Sequence, residues 1–395
     1  VSPATRRLRV GVIGTGMITQ IMHLPYLAEL EDLFEISALC DSSRQVLEHC
    51  GRRFAVDRLF GDWSDLLAEP LDAVLVLTSG SHAPAAVAAA RAGIHVLVEK
   101  PMCLSATEGA EMLDAADRSG VVLMVGYPKR YSPAYRRAHA AVGQLEDLRF
   151  VRVTTLEAPF EPYVAHHRIV RGNDVSAEQI ERWRAESEIR IDAAVGPERD
   201  EARATFQGVL IDTMVHEFNL LRGMLGEPSQ VRFASLRRDA VTVVLDFGGV
   251  DCVVAWLDLP GVAGYEMEAC FYDPDTRIRL SFPSPYLKNV PALLELTGGE
   301  RGGAHSVRSR EIVSYEEAFK LELVEFHNAV VTGVEPPTSG LDGLRDIALC
   351  ESVVASARSG QSVADPTAAG LPPLARGPDS SLHRPSAGGV RVGDD

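Results

Sequence analysis

From residue 8 to about residue 125 the chain alternates two periodicities. Short apolar runs at 8–13, 34–40, 73–77, 95–98 and 121–125 read as strands buried on both faces. Between them, residues 43–54, 84–92 and 105–119 carry the amphipathic or alanine-rich pattern of helices, the last closed by Gly120. Strand–helix alternation of this kind builds right-handed βαβ units around a parallel sheet. Beyond Gly126 the pattern changes. Residues 150–156, 230–236, 240–247, 251–257, 266–272 and 277–282 predict strands, with Gly248-Gly249 as a hairpin turn between two of them. These imply a large, mostly antiparallel sheet with one face free to pair subunits. Helices are expected at 315–332 and 340–359. Residues 366–395, rich in Pro, Gly and Ser, are expected to be disordered.

Composition narrows the partner. A net charge of −16 opposes binding to a phosphate backbone, so a small molecule is expected rather than nucleic acid. No apolar run approaches the roughly 20 residues of a membrane span. Arg6-Arg7 leads straight into a strand rather than an apolar leader, and the six cysteines are scattered without metal-ligand spacing. A cytoplasmic protein with reduced thiols and no metal is the expectation. Lysine is rare: only positions 100, 129, 288 and 320 carry it among 39 basic residues. A compact, titratable ammonium is what arginine cannot supply, which directs attention to those four places.

The first strand runs directly into Gly14-Thr15-Gly16-Met17-Ile18 and then a helical stretch. In that context glycines let the backbone approach a pyrophosphate while the helix N-terminus offers free N–H groups to its charge. The third fingerprint position is Thr19, which sets helix and strand slightly farther apart. Asp41 ends the second strand, where a carboxylate accepts hydrogen bonds from adenosine ribose hydroxyls and favours NAD. Ser42 and Arg44 follow at once, and Arg44 leaves NADP open. The predicted organisation is therefore an α/β chain: a Rossmann dinucleotide-binding domain at 1–126, and an α+β substrate and oligomerisation domain at 127–365.

Two further motifs bear chemistry. Glu99-Lys100-Pro101 sits at the carboxyl end of a parallel strand, where ligands bind in open α/β sheets. The stretch 207–216 opens a helix that carries Asp212 and His216 four apart, hence on one face. Either alone has a structural reading; a glycine cradle, a strand-end lysine and an Asp-x-x-x-His helix together are harder to obtain by accident.

Over residues 8 to 365 these motifs resemble the Gfo/Idh/MocA family of oxidoreductases. Gly14-Thr15-Gly16 with His23-Leu24-Pro25, Glu99-Lys100-Pro101, the run from Gly126 to Tyr131, Asp212 to His216 and the run from Gly340 to Asp346 occur in that family's order. The resemblance implies hydride transfer between a nicotinamide cofactor and a secondary alcohol or ketone of a sugar, amino sugar or cyclitol. It implies that His216 is the general base, that Asp212 orients it or holds a neighbouring hydroxyl, and that Lys100 bridges substrate oxygen and cofactor ribose and stabilises alkoxide charge. Thr78, Ser79, His82 and Glu99 would line the cofactor, and Lys129, Arg130 and Tyr131 would meet the substrate. It also implies a homodimer or homotetramer built through the C-terminal sheet. Two other readings stay open within it: an NAD-dependent glycoside hydrolase using transient oxidation, and a non-catalytic NAD- and sugar-binding regulator. The charged stretch 162–205 is longer than the resemblance leads one to expect. Its His166, His167, Arg168 and Arg171 are expected to reach the substrate site, so that its removal would alter substrate selectivity more than cofactor affinity.

Overall fold

The computed structural model describes residues 6–300 and 302–365; the tail expected to be disordered lies outside them. Six parallel strands form the first sheet: β1 (Leu8–Ile13), β2 (Phe34–Cys40), β3 (Leu59–Phe60), β4 (Ala73–Val76), β5 (His95–Glu99) and β6 (Leu123–Gly126), in the order β3-β2-β1-β4-β5-β6. The order reverses between β1 and β4, the crevice where doubly wound sheets bind dinucleotides. Strands β1, β4 and β5 are almost wholly buried, which is why they read as continuous apolar runs. Two of the helices between them open on serine caps. Ser43 accepts from Val46 N–H to open Arg44–Phe54, and Ser105 accepts from Glu108 N–H to open Ala106–Ser119, which Gly120 ends at φ +64°.

Nine strands form the second sheet: β7 (Phe150–Glu157), β8 (Gln230–Leu236), β9 (Ala240–Phe247), β10 (Val250–Asp258), β11 (Glu266–Tyr272), β12 (Thr276–Phe282), β13 (Leu293–Gly299), β14 (Ser306–Ile312) and β15 (Val363–Ala364). All its pairings are antiparallel except β7 with β10. One face is a row of buried residues, Val243, Val254, Val153, Ala269, Leu280 and Leu294, in register from β9 to β13. The charged stretch contains a long helix, Ala177–Val195, capped by Ser176.

The two sheets are joined by helix Gly340–Ser359. Its entry extends the first sheet, with Val125 N–H donating to Thr338 O, and Glu351 accepts from Ala106 N–H. On its other side Asp342 and Asp346, both without water access, close on Arg222 of helix Val215–Leu225 at 3.2 and 2.5 Å, and Asn219 donates to each of them. Removing one partner from a buried ion pair leaves the other uncompensated. Arg222→Ala is therefore expected to lower stability by about 3–5 kcal/mol in urea unfolding; a loss under about 1 kcal/mol would mean that the network contributes little.

Candidate active site

The cofactor groove starts at the end of β1. Gly14 has φ +92°, and a Cβ there would stand 2.8 Å from the Leu77–Thr78 backbone, so the turn requires glycine. At Gly16 the constraint differs: an added Cβ would meet nothing within 4 Å, so the residue opens the turn to a ligand rather than easing its packing. Thr19, at the position usually taken by glycine, is buried and donates its hydroxyl to Gly14 O at 2.8 Å, tying the following helix to the turn. Residues 19–23 of that helix are π-helical. Asp41 accepts from Thr15 N–H and Oγ1 at 2.7 and 2.9 Å and from Ser43 N–H at 2.8 Å. Ser42 and Arg44 are exposed, and Arg44 reaches Glu48 at 2.7 Å. Across the crevice lie half-buried Thr78 and exposed Ser79. The positive turn, the open space over Gly16 and the helix start behind Met17 and Ile18 fit a dinucleotide pyrophosphate.

Two expected cofactor residues face elsewhere. His82 is buried with both ring nitrogens bonded to backbone carbonyls, Pro101 O and Thr78 O, each at 2.8 Å. It fixes the loops after β4 and β5. Glu99 is buried against His23 Nε2 at 2.7 Å and accepts from Lys100 N–H at 3.0 Å. Burial pushes its pKa up, but the His23 hydrogen bond and charge more than offset this, so Glu99 stays ionised beneath the lysine.

Lys100 points the other way, into a cavity of about 700 Å³ bounded by both halves of the chain. Its ammonium donates to Asp212 O at 2.5 Å and pairs with Asp212 Oδ1 at 3.1 Å. Lys129, Asp212 and His216 line the same cavity. The segment carrying Asp212, Phe206–Met214, is π-helical rather than α-helical and passes into helix Val215–Leu225 just before His216. Such widened turns are frequent where a helix presents functional groups. The His216 ring lies edge-on to Tyr127 at 5.9 Å, and its Nδ1 has no protein partner. Burial, then the charges of Lys129 and Lys100, hold its pKa well below 6.5, so the imidazole is neutral at pH 7. Burial also lowers Lys129, while the charge of Glu217 favours its ammonium.

Arg130 and Tyr131 do not line this cavity. Arg130 turns back to Asn219 and Asp342, and the Tyr131 hydroxyl lies 2.7 Å from Thr338 Oγ1 in the core. Their backbone forms a 3₁₀ turn, Pro128–Tyr131, whose successive side chains point about 120° apart, and of these four only Lys129 lines the cavity. Nor do His166, His167, Arg168 or Arg171 line it, because the chain leaves the cavity after Tyr163 and crosses to the cofactor side. The sequence reading missed Glu157, Trp256, Tyr265 and Tyr286, which line the cavity, and Glu217, whose charge acts on Lys129 although it does not line it. Glu217 is buried with Thr155 Oγ1 donating to it at 2.9 Å; burial raises its pKa, as it does that of Glu157. Trp256, Tyr265 and Tyr286 supply aromatic walls. Glu157 and Trp256 come from the ends of β7 and β10, which the parallel pairing places side by side, a juxtaposition no local pattern reveals.

Comparison with known proteins agrees with this fold. Residues 8–127 match the model of an oxidoreductase family with an NAD-binding Rossmann fold. The chain is 24% identical over 348 residues to myo-inositol 2-dehydrogenase of Thermotoga maritima, covering 85% of this chain and 92% of that protein. It is 27% identical over 378 residues to D-apiose dehydrogenase of Paraburkholderia graminis, covering 91% and 90%. The structure of levoglucosan dehydrogenase in complex with NADH and L-sorbose superposes with a TM-score of 0.72 at 19% identity, covering 91% of this chain and 99% of that one. For the groove, Gly16→Val is expected to leave the unfolding midpoint within about 2 °C, since nothing crowds it. The same change should weaken NADH binding by about tenfold or more in fluorescence titration; unaltered NADH affinity would place the dinucleotide elsewhere.

Proposed function

We propose that this chain, a member of the Gfo/Idh/MocA family of oxidoreductases, oxidises a secondary hydroxyl of a sugar, amino sugar or cyclitol, or reduces the corresponding ketone, with NAD. In this reading residues 1–126 hold the dinucleotide, and residues 127–365 supply the substrate cavity and the subunit contact. The observation that carries it is the convergence of Lys100, at the end of a dinucleotide-binding sheet, with a neutral, unpartnered His216 in one aromatic-walled cavity. Aromatic faces with a few placed polar groups suit the alternating C–H and O–H surfaces of a polyol ring. The relatives named for inositol and apiose act on polyhydroxylated substrates of that kind.

When bound, nicotinamide supplies the acceptor for the hydride that leaves the carbinol carbon. The rest falls to side chains. His216 takes the hydroxyl proton as the C=O bond forms, which a neutral imidazole can do at pH 7 and an imidazolium cannot. Lys100 holds the same oxygen and stabilises alkoxide charge as it develops. Asp212 fixes that ammonium at the cavity wall. Ionised Glu99 beneath the strand end and Glu217 beside Lys129 counter the charge of the two cations. We place the reaction in the cytoplasm; among the described residues no helix is long and apolar enough to cross a membrane.

We further propose that two copies pair through the open face of the second sheet. Phe233, Val244, Val253, Arg152, Cys270, Arg279, Glu295 and Arg310 succeed one another in register across that face. Phe233 is 52% exposed at the apolar end of the row. Toward the other end Glu268 and Glu295 alternate with Arg279 and Arg308 through ion pairs of 2.5, 3.4 and 2.5 Å. A face that interleaves both signs beside an apolar strip can match a second copy of itself.

With a panel of sugars and cyclitols followed by NADH absorbance, His216→Ala and Lys100→Ala should each lower kcat by about 10²–10⁴. The pH profile should carry the same signature. Oxidation needs neutral His216, so kcat/KM falls as pH drops through the histidine pKa, which in the wild type lies below 6.5. Lys129→Met removes a charge that depresses that pKa, so the acid limb should move upward in pH. An acid limb that stays in place would remove His216 from the proton's path. For the subunit contact, light scattering is expected to give a multiple of the 42.7 kDa chain mass for the wild type and the single-chain mass for Phe233→Asp. Identical masses for the two would refute pairing through this face.

A further inference from the structure

The charged stretch that departs from the cavity after Tyr163 runs along the cofactor groove instead. The backbone of Val170 pairs both ways with the side chain of Gln20, donating and accepting at 2.9 Å, and Gln20 also donates to Thr15 O of the glycine turn at 2.9 Å. At Gly172 the chain passes so close to the adenosine end of the groove that an added Cβ would stand 1.9 Å from Ser43 Oγ. Asp174 then accepts from Ser43 Oγ at 2.5 Å and from Gln45 N–H at 3.0 Å, at the start of helix Arg44–Phe54. Farther on, Arg190 pairs with Glu108 at 2.6 Å, and Glu108 also takes the hydroxyl of Ser81, in the loop after β4. The stretch is thus tied down at both ends of the groove, directly to the segments that follow β1 and β2 and, through Glu108 of helix Ala106–Ser119, to the loop that follows β4.

We infer that Asp174 is a cofactor-specificity residue, which together with Asp41 reserves the adenosine end of the groove for NAD and shuts out the 2′-phosphate of NADP. The inference rests on the reading that this groove holds a nicotinamide dinucleotide. A 2′-phosphate beside a strand-end acid needs donors and a cation. Here the donors are already committed. Ser43 gives its N–H to Asp41 and its hydroxyl to Asp174, and Gln45 gives its N–H to Asp174. Those hydrogen bonds, Ser43 first, hold the Asp174 carboxyl below the usual range, so it is ionised at pH 7. The nearby cation, Arg44, is drawn along its own helix to Glu48. A phosphate carrying about −1.5 to −2 charge would have to displace one carboxylate while facing the other. Ribose hydroxyls, by contrast, can donate to either.

The test is direct binding of NADH and of NADPH to the full chain by fluorescence titration, in the wild type, Asp174→Ala and Asp174→Asn. The wild type is expected to prefer NADH by about 100-fold or more, and both variants to narrow that preference by about tenfold or more through tighter NADPH binding. Asparagine keeps the shape of the contact and removes the charge, so agreement between the variants separates electrostatics from a loop that has simply come loose. A preference unchanged in both variants, or NADPH binding as tight as NADH in the wild type, would overturn the assignment. Failure of the wild type to bind either nucleotide would instead sink the cofactor reading of the groove and this inference with it.

Discussion

A guanidinium without access to water fixes where the chemistry can happen. Arg222 projects from the helix that begins at His216, and it is gripped by Asp342 and Asp346 of helix Gly340–Ser359. The entry to that second helix pairs with the dinucleotide sheet through Thr338, and its Glu351 holds the start of helix Ala106–Ser119. The position of His216 relative to the end of β5 is therefore set through buried charge pairing rather than by the cavity wall alone. Few arrangements satisfy two buried carboxylates and one guanidinium together, so the network restricts how the two halves can meet.

The cavity inherits its electrostatics from that placement. Two ammonium groups, Lys100 and Lys129, stand near one imidazole, and burial acts in the same direction as their charge, so His216 is kept unprotonated. The cations are in turn tolerated because Glu99 lies beneath one and Glu217 beside the other. His23 holds Glu99 from the far side, which gives the His-Leu-Pro segment after the glycine turn a role distinct from touching cofactor. An ammonium and a neutral imidazole in one cavity are what a reversible alcohol oxidation asks for.

Much of this was legible in the chain itself. The buried parallel strands, the capped helices between them and the central strands of the second sheet follow from periodicity and cap residues, because each is decided by neighbours in sequence. The exposed edge strand Ser306–Ile312 carries no apolar alternation and gave no such signal. Lys100 and His216 were found because motif and position agreed. Arg130 and Tyr131 were expected at the substrate because a motif names residue types without saying where side chains turn; a 3₁₀ turn sends only Lys129 inward. Glu157 and Trp256 were invisible because tertiary pairing of distant segments brings them to the cavity. The charged stretch was expected to bring His166, His167, Arg168 and Arg171 to the substrate; Tyr163, Ala204 and Thr205 at its two ends do line the cavity, while the hydrogen bonds to Gln20 and Ser43 hold the segment between on the cofactor groove.

The central claim is that an ammonium from a strand end and an imidazole from a helix start flank the reactive ring of one bound nicotinamide. A crystal structure of the chain grown with NADH tests it most directly. The account predicts the nicotinamide ring lodged in the cavity between residues 100 and 216, with its pyrophosphate on the glycine turn. A ring bound outside that cavity, or one separated from residue 216 by the wall of the second sheet, would contradict it.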